Sequence, residues 1–262
     1  MKENFTPHTE IIEVGESMAE ILEKIRELRI DPLSFKGIEG FDEGKIDKDA
    51  AFIARVEERY MLKAGAYDHT EEKVHAEAKI VETMMPMIIR DFDWLGPDTD
   101  IIFTSVYDDV ANGIDSVVQF PEEGSDNNLG MEIDFASSEA EMMAKILKIG
   151  QSLEKGIISS VEYFDSPSSG KKKGVKMPKI AFGATGKEMG NLAEVVADAY
   201  LSPVKKELAQ AELRNHAMKK RFVTLAANQL KEFGMIAEKA GHGEISKLHR
   251  NVLDILKRRK LI

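Results

Sequence analysis

The sequence predicts an α/β (α+β) protein built on a mixed central sheet, with further helices at both ends. Three observations predict it. Between residues 70 and 182, helical and extended patterns follow one another in the order αβββαβ, and helical periodicity fills much of the chain on either side. Asn112-Gly113 and the run 121–128 (PEEGSDNN) separate β-rich segments by turn-rich connections, as in antiparallel hairpins. A helical pattern then leads into another apolar run, and such a crossover makes the sheet mixed.

Each element has a local reason. Residues 17–28 (SMAEILEKIREL) place Met18, Ile21, Leu22 and Ile25 on one helical side, and Asp31-Pro32 stops that helix. Residues 37–47 are rich in Gly and Asp and read as a loop. A second amphipathic helix is expected over 49–64, and a third over 70–90 with Val74, Ala78, Val81, Met85 and Ile88 as its apolar stripe. Pro86 should kink the third helix near its end. Strands are expected over 101–107 and 114–120, with a turn containing the acid pair Asp108-Asp109 between them. In 129–135, Leu129, Met131, Ile133 and Phe135 alternate with Glu132 and Asp134, the period of a third strand. Ser138 with Glu141 forms a capping box for a helix over 138–155, which Gly156 closes. Strands are expected over 157–164 and 177–184, with a basic loop (SPSSGKKKGVK) between them. Helices are expected from Gly186, from Val204 to about Ala240, and over 244–261. The chain thus divides into an N-terminal helical extension (1–69), an αβββαβ core (70–200) and a basic C-terminal helical region (201–262).

Composition narrows the function. The 262 residues are 43% hydrophobic and 31% charged, an ordinary globular balance. The absence of cysteine excludes disulfides, iron–sulfur clusters and thiolate-bound zinc. The longest apolar run, Met84 to Ile89, falls far short of the roughly 20 residues that cross a bilayer. The first 17 residues hold no apolar signal-peptide core, so no membrane partner and a cytoplasmic location are expected. Net charge is −10, but it is unevenly spread. Residues 1–150 hold 15 Lys+Arg against 34 Asp+Glu, and residues 151–262 hold 21 against 12, which are balances of −19 and +9. An acidic half that holds a cation and a basic half that meets a polyanion is one reading, and two solvated faces is the other.

Phosphodiester hydrolysis at neutral pH needs an activated water and charge relief on the leaving oxygen. Mg²⁺ (or Mn²⁺) held by carboxylates can supply both. Strands hold acids well because alternate residues share a face. Asp115 stands at the start of the second strand, and Glu132 and Asp134 project from one face of the third. If a helix covers that face, acids there are costly unless they bind a cation. The alternative is that they lie on the solvent side. Glu77 sits inside the apolar stripe of the third helix, as a ligand or as an acid reaching out to water, and Glu82 lies at the stripe's margin.

A helix acid, an Asp in the second strand and an acidic pair in the third resemble the PD-(D/E)XK nuclease pattern, over roughly residues 70–182. The resemblance implies a restriction-endonuclease-like core and Mg²⁺-dependent hydrolysis of DNA. It implies that Asp115 and Glu132 or Asp134 hold the ion and that Glu77, or less well Glu82, assists. This sequence departs from the pattern at the lysine that positions the attacking water, where Asp134 or Ala136 stands instead. Some members of the superfamily carry that lysine on the following helix, and Lys145 flanks the buried stripe there. A nuclease fold that has lost catalysis and serves as a nucleic-acid-binding or assembly module is the alternative.

Lys171, Lys172, Lys173 and Lys176, together with Lys219, Lys220 and Arg221, form basic groups suited to phosphate-backbone contacts. Aromatic residues are few among them, so base stacking on a single-strand platform is not indicated. The six histidines show no metal-ligand spacing, and GATGKEMGN lacks the spacing and GK[ST] ending of a phosphate loop. The oligomeric state is left open, with a homo-oligomer compatible.

Overall fold

In the computed structural model, which describes residues 18–64, 69–121, 127–133, 139–166, 169–184 and 186–262, the mixed sheet is present with helices on both faces. It has four strands: β1 (Asp100–Phe103), β2 (Ser116–Phe120), β3 (Asn127–Ile133) and β6 (Lys179–Phe182), in the order β1-β2-β3-β6. The pairs β1/β2 and β2/β3 are antiparallel, and β3/β6 is parallel. A parallel pair cannot be joined by a tight turn. Helix α5 (Glu139–Glu154) and a separate antiparallel ribbon, β4 (Ser160–Ser166) with β5 (Gly170–Lys176), fill that crossover.

The helices form where the apolar spacing requires them. Helix α1 (Met18–Glu27) and α3 (His69–Asp91) pack together, with Ile21, Ile25, Val81, Met84, Met85 and Ile88 buried. They cover one sheet face with α6 (Gly186–Leu201), α7 (Lys206–Asn215), α8 (Ala217–Lys239) and α9 (Gly243–Arg258). Leu129, Met131 and Ile133 of β3 all enter this core, as their alternation predicts. The opposite face is covered by the ribbon, through Val161, Phe164 and Met177, and by α5, through Ile149 and Leu153. Both faces of the sheet are therefore enclosed.

Four local expectations are corrected. Helix α2 (Glu43–Ala64) starts six residues before the expected Asp49, because Asp42 Oδ1 accepts the Lys45 N–H at 2.8 Å and caps it. The first strand ends at Phe103, and the expected turn around Asp108-Asp109 is helix α4 (Val106–Asn112). Ser105 Oγ accepts the Asp108 N–H at the start of α4, and Gly113 at φ 61° ends it in the left-handed region. The basic segment expected as a loop is strand β5, paired with β4 from Ser160↔Lys176 to Ser166↔Gly170. The long C-terminal helix is broken at His216, whose Nδ1 accepts the Met218 N–H at 3.2 Å and restarts the chain as α8.

The edge of β6 is closed by a side chain. Gln229 of α8 donates from Nε2 to Ala181 O at 2.8 Å and accepts the Ala181 N–H at 3.0 Å, as a neighbouring strand would. At the other end of the chain, Arg259 Nη1 donates to Leu95 O, Pro97 O and Thr99 Oγ1 at 3.1, 2.9 and 2.7 Å, tying the C-terminus to the loop before β1. Among the described residues no helix is long and apolar enough to cross a membrane.

Candidate active site

The site forms at the end of the sheet where β2 begins and β3 ends. Asp115 immediately precedes β2, and the Asp115 N–H donates to Met131 O at 2.9 Å. Ser116 pairs with Met131 and the Asp115 N–H bonds to that same residue's carbonyl, so the regular ladder ends at Ser116 and Asp115 sits as an extra residue beside it. Glu132 lies between Met131 and Ile133, which enter the core on the other face, and is turned toward Lys145 of α5, so the solvent-side alternative is set aside for it. Asp134 follows the last described residue of β3 and lies outside the described residues. Glu77 is on α3, but its side chain also lies outside them.

Asp115 is crowded by other acids. Its Oδ2 accepts the Ile133 N–H at 2.7 Å, which favours the charged form. Burial outweighs that bond, and a hydrogen bond shared with the Asp109 carboxyl and the charges of Asp109 and Glu82 act the same way, so the Asp115 pKa is raised well above its ordinary value. A hydrogen bond between two carboxyl groups requires a proton on one of them. Asp109 is anchored by Arg29, whose Nη1 stands 2.8 Å from Asp109 Oδ2. Glu82, one of the two helix acids weighed from the sequence, acts on Asp115 by its charge, and the Glu77 side chain lies outside the described residues. Asp109 was read as part of a turn. Helix α4 carries it to the site, and the signal for that helix was the Ser105-x-x-Asp108 capping spacing.

Glu132 is held by two lysines. Lys145 of α5 brings Nζ to 3.2 Å from Glu132 Oε1. Lys179 of β6 brings Nζ to 3.0 Å from Oε2 and also donates to Asn112 O and Gly113 O at 3.2 Å each. Lys145 thus stands beside the third-strand acid, and Lys179, which the sequence suggests for phosphate contacts, is a second lysine there paired with Glu132 instead. Gly113, at φ 61°, takes a backbone conformation that favours glycine, and a Cβ there would also crowd Lys179 Nζ at 3.1 Å and Glu132 Oε2 at 3.3 Å.

The donors at this end of the sheet are carboxylate oxygens, the type that suits Mg²⁺ or Mn²⁺. The crowding at Asp115 is the kind a cation relieves. Among the described residues, no group of three or more Asp, Glu or His is gathered to hold one ion. Asp134, the expected further ligand, is not among those residues.

The basic residues divide. Lys171 Nζ donates to Ser34 O at 2.7 Å and lies 4.8 Å from the centre of the Phe35 ring, and Lys173 Nζ donates to Gly40 O at 3.4 Å. These two pin the ribbon to the N-terminal segment, while Lys172 is half-buried and Lys176 exposed. Lys219, Lys220 and Arg221 open α8, where Phe222 packs 4.9 Å from Phe182, the register partner of Ile133. Arg221 is paired with Glu188, and burial lowers the Lys219 pKa.

Comparison with protein-family models, with curated proteins and with solved structures finds no match to this chain.

Proposed function

We propose that this chain is a metal-dependent nuclease that hydrolyses phosphodiester bonds of DNA, on a restriction-endonuclease-like core. The observation that carries the reading is the part-buried Asp115, which accepts the Ile133 N–H of β3 at 2.7 Å, one residue along the strand from Glu132, with Lys145 3.2 Å from Glu132. Asp115, with Glu132 and Asp134, would hold Mg²⁺ or Mn²⁺, and a helix acid, Glu82 or Glu77, would assist. When bound, the ion lowers the pKa of a water and relieves charge on the leaving oxygen. Lys145 orients the water from α5, in place of a lysine on β3. Arg29 fixes Asp109, so that the proton shared with Asp115 is displaced when the acids take up a cation. The basic start of α8 and the lysines of β5 supply contacts to the phosphate backbone.

Titration with Mn²⁺, followed by electron paramagnetic resonance, tests this reading. One bound ion is expected in the wild type and its loss in Asp115→Asn. Equal binding by both proteins, or none by either, would contradict it.

A second reading has its own support. Both oxygens of Glu132 are engaged by lysines, an arrangement that also suits a nuclease fold without catalysis that binds nucleic acid or assembles with other proteins.

A further inference from the structure

We propose that the cleft between α4, α5 and β6 is a nucleotide seat, with cationic side chains for a phosphate and apolar ones for a sugar or base. It has a volume of about 540 Å³, within the range of small-ligand sites. Lys145, Lys148 and Lys179 line it, together with the acids Asp109 and Glu132. Both acids are already matched, Asp109 by Arg29 at 2.8 Å and Glu132 by Lys145 and Lys179 at 3.2 and 3.0 Å. The three lysines against the two carboxylates that line the cleft leave a surplus of one positive charge, in a space whose protein walls concentrate the field. Lys145 and Lys148 are three apart on α5 and so share one helix face, with Lys148 exposed at the mouth.

The apolar lining explains why a bare anion is not the best occupant. Val110 and Ile157 line the same cleft and are 39% and 59% exposed, large apolar side chains left open to water. A ligand with an anionic end and a flat apolar body satisfies both kinds of lining, and a nucleotide is such a ligand. An acidic peptide matches the cations but leaves the apolar lining wet. The inference deepens the nuclease reading by naming what lies beside Glu132 and Asp109, and it stands on binding alone.

The test is calorimetric titration of the full chain, at low salt and without divalent metal. The probes are deoxyadenosine 5′-monophosphate, deoxyadenosine, inorganic pyrophosphate and hexaglutamate. The monophosphate is expected to bind more tightly than deoxyadenosine or hexaglutamate. Lys148→Ala should weaken it by roughly fivefold or more, and the exposed Lys231→Ala should not. Ile157→Ser should weaken the monophosphate and spare pyrophosphate. Absence of monophosphate binding, an unchanged affinity in Lys148→Ala, or equal binding of hexaglutamate would overturn the proposal. Monophosphate binding without any DNA cleavage would keep the seat and remove the nuclease. Metal-dependent cleavage without monophosphate binding would do the reverse.

Discussion

Lys179 Nζ lies 3.0 Å from Glu132 Oε2, and the same ammonium group donates to Asn112 O and Gly113 O at the end of α4. One side chain therefore joins β6, β3 and α4 at the site. The pair is only 10% and 17% exposed, so removing one partner leaves the other short of compensation. Lys179→Met is expected to cost about 2 kcal/mol in urea unfolding. Lys145→Ala, at the more open side of Glu132, should cost less than about 1 kcal/mol. It should slow cleavage while leaving Mn²⁺ affinity unchanged, because its proposed role is to orient water.

Asp115 predicts an unusual pH dependence. Its folded-state pKa is raised, so the folded protein holds the proton more tightly than the unfolded chain does. The favourable contribution is then complete below the unfolded value, about 3.9, and is lost as pH rises through the folded value. Asp115→Asn removes the buried charge and keeps the acceptor for the Ile133 N–H. In metal-free buffer at pH 7–8 it should raise stability by on the order of 1 kcal/mol, or about 2–4 °C in Tm. The difference should vanish near pH 4. A variant less stable than wild type at pH 8 would contradict the crowding of acids at this position.

His249 predicts the opposite slope. It is fully buried between α8 and α9, its Nδ1 is bonded to Ile245 O at 2.9 Å, and its Nε2 has no hydrogen-bond partner among the described residues. Burial lowers its pKa, so the ring is neutral in the folded protein while the unfolded chain takes up a proton. Stability from this site is present above the unfolded value, about 6.5, and is lost as pH falls toward the lower folded value. His249→Phe should remove that part of the acid limb in thermal melts recorded between pH 7 and 5.

Asp108 predicts a structural failure rather than a catalytic one. Its carboxylate accepts from Ser105 Oγ, Asn112 Nδ2, Glu162 N and Tyr163 N at 2.8, 2.7, 2.6 and 3.2 Å, which ties α4 to β4. Asp108→Ala strands those donors in the interior and is expected to cost about 3 kcal/mol or more. Gln229→Leu should cost about 2 kcal/mol by the same logic, because it opens the β6 edge at Ala181.

The parts of this structure that were legible are those with a period. Leu129, Met131 and Ile133 alternate in the sequence and enter the core together, which placed Glu132 on the other face. The helical angle of Lys145 puts it at the flank of the buried stripe of α5, and the structure has it 3.2 Å from Glu132. Other parts depended on partners remote in sequence. Asn112-Gly113 marks a hairpin turn and a helix end equally well, and only the Ser105 cap distinguishes them. Strand β5 carries no apolar alternation, since it is held by pairing to β4 and by the anchors of Lys171 and Lys173. Lys179 reaches Glu132 across 47 residues of sequence, through a parallel pairing that no local pattern announces.

The most direct test of the nuclease reading is cleavage of supercoiled plasmid and of single-stranded DNA with Mg²⁺ or Mn²⁺, wild type beside Asp115→Asn. Asparagine keeps the size of the side chain and removes the charge that would hold the ion. The account predicts metal-dependent cleavage by the wild type, abolished in Asp115→Asn while the variant remains folded. Equal cleavage by both proteins, or no cleavage by either and no shift of the wild-type Tm with Mn²⁺, would contradict it.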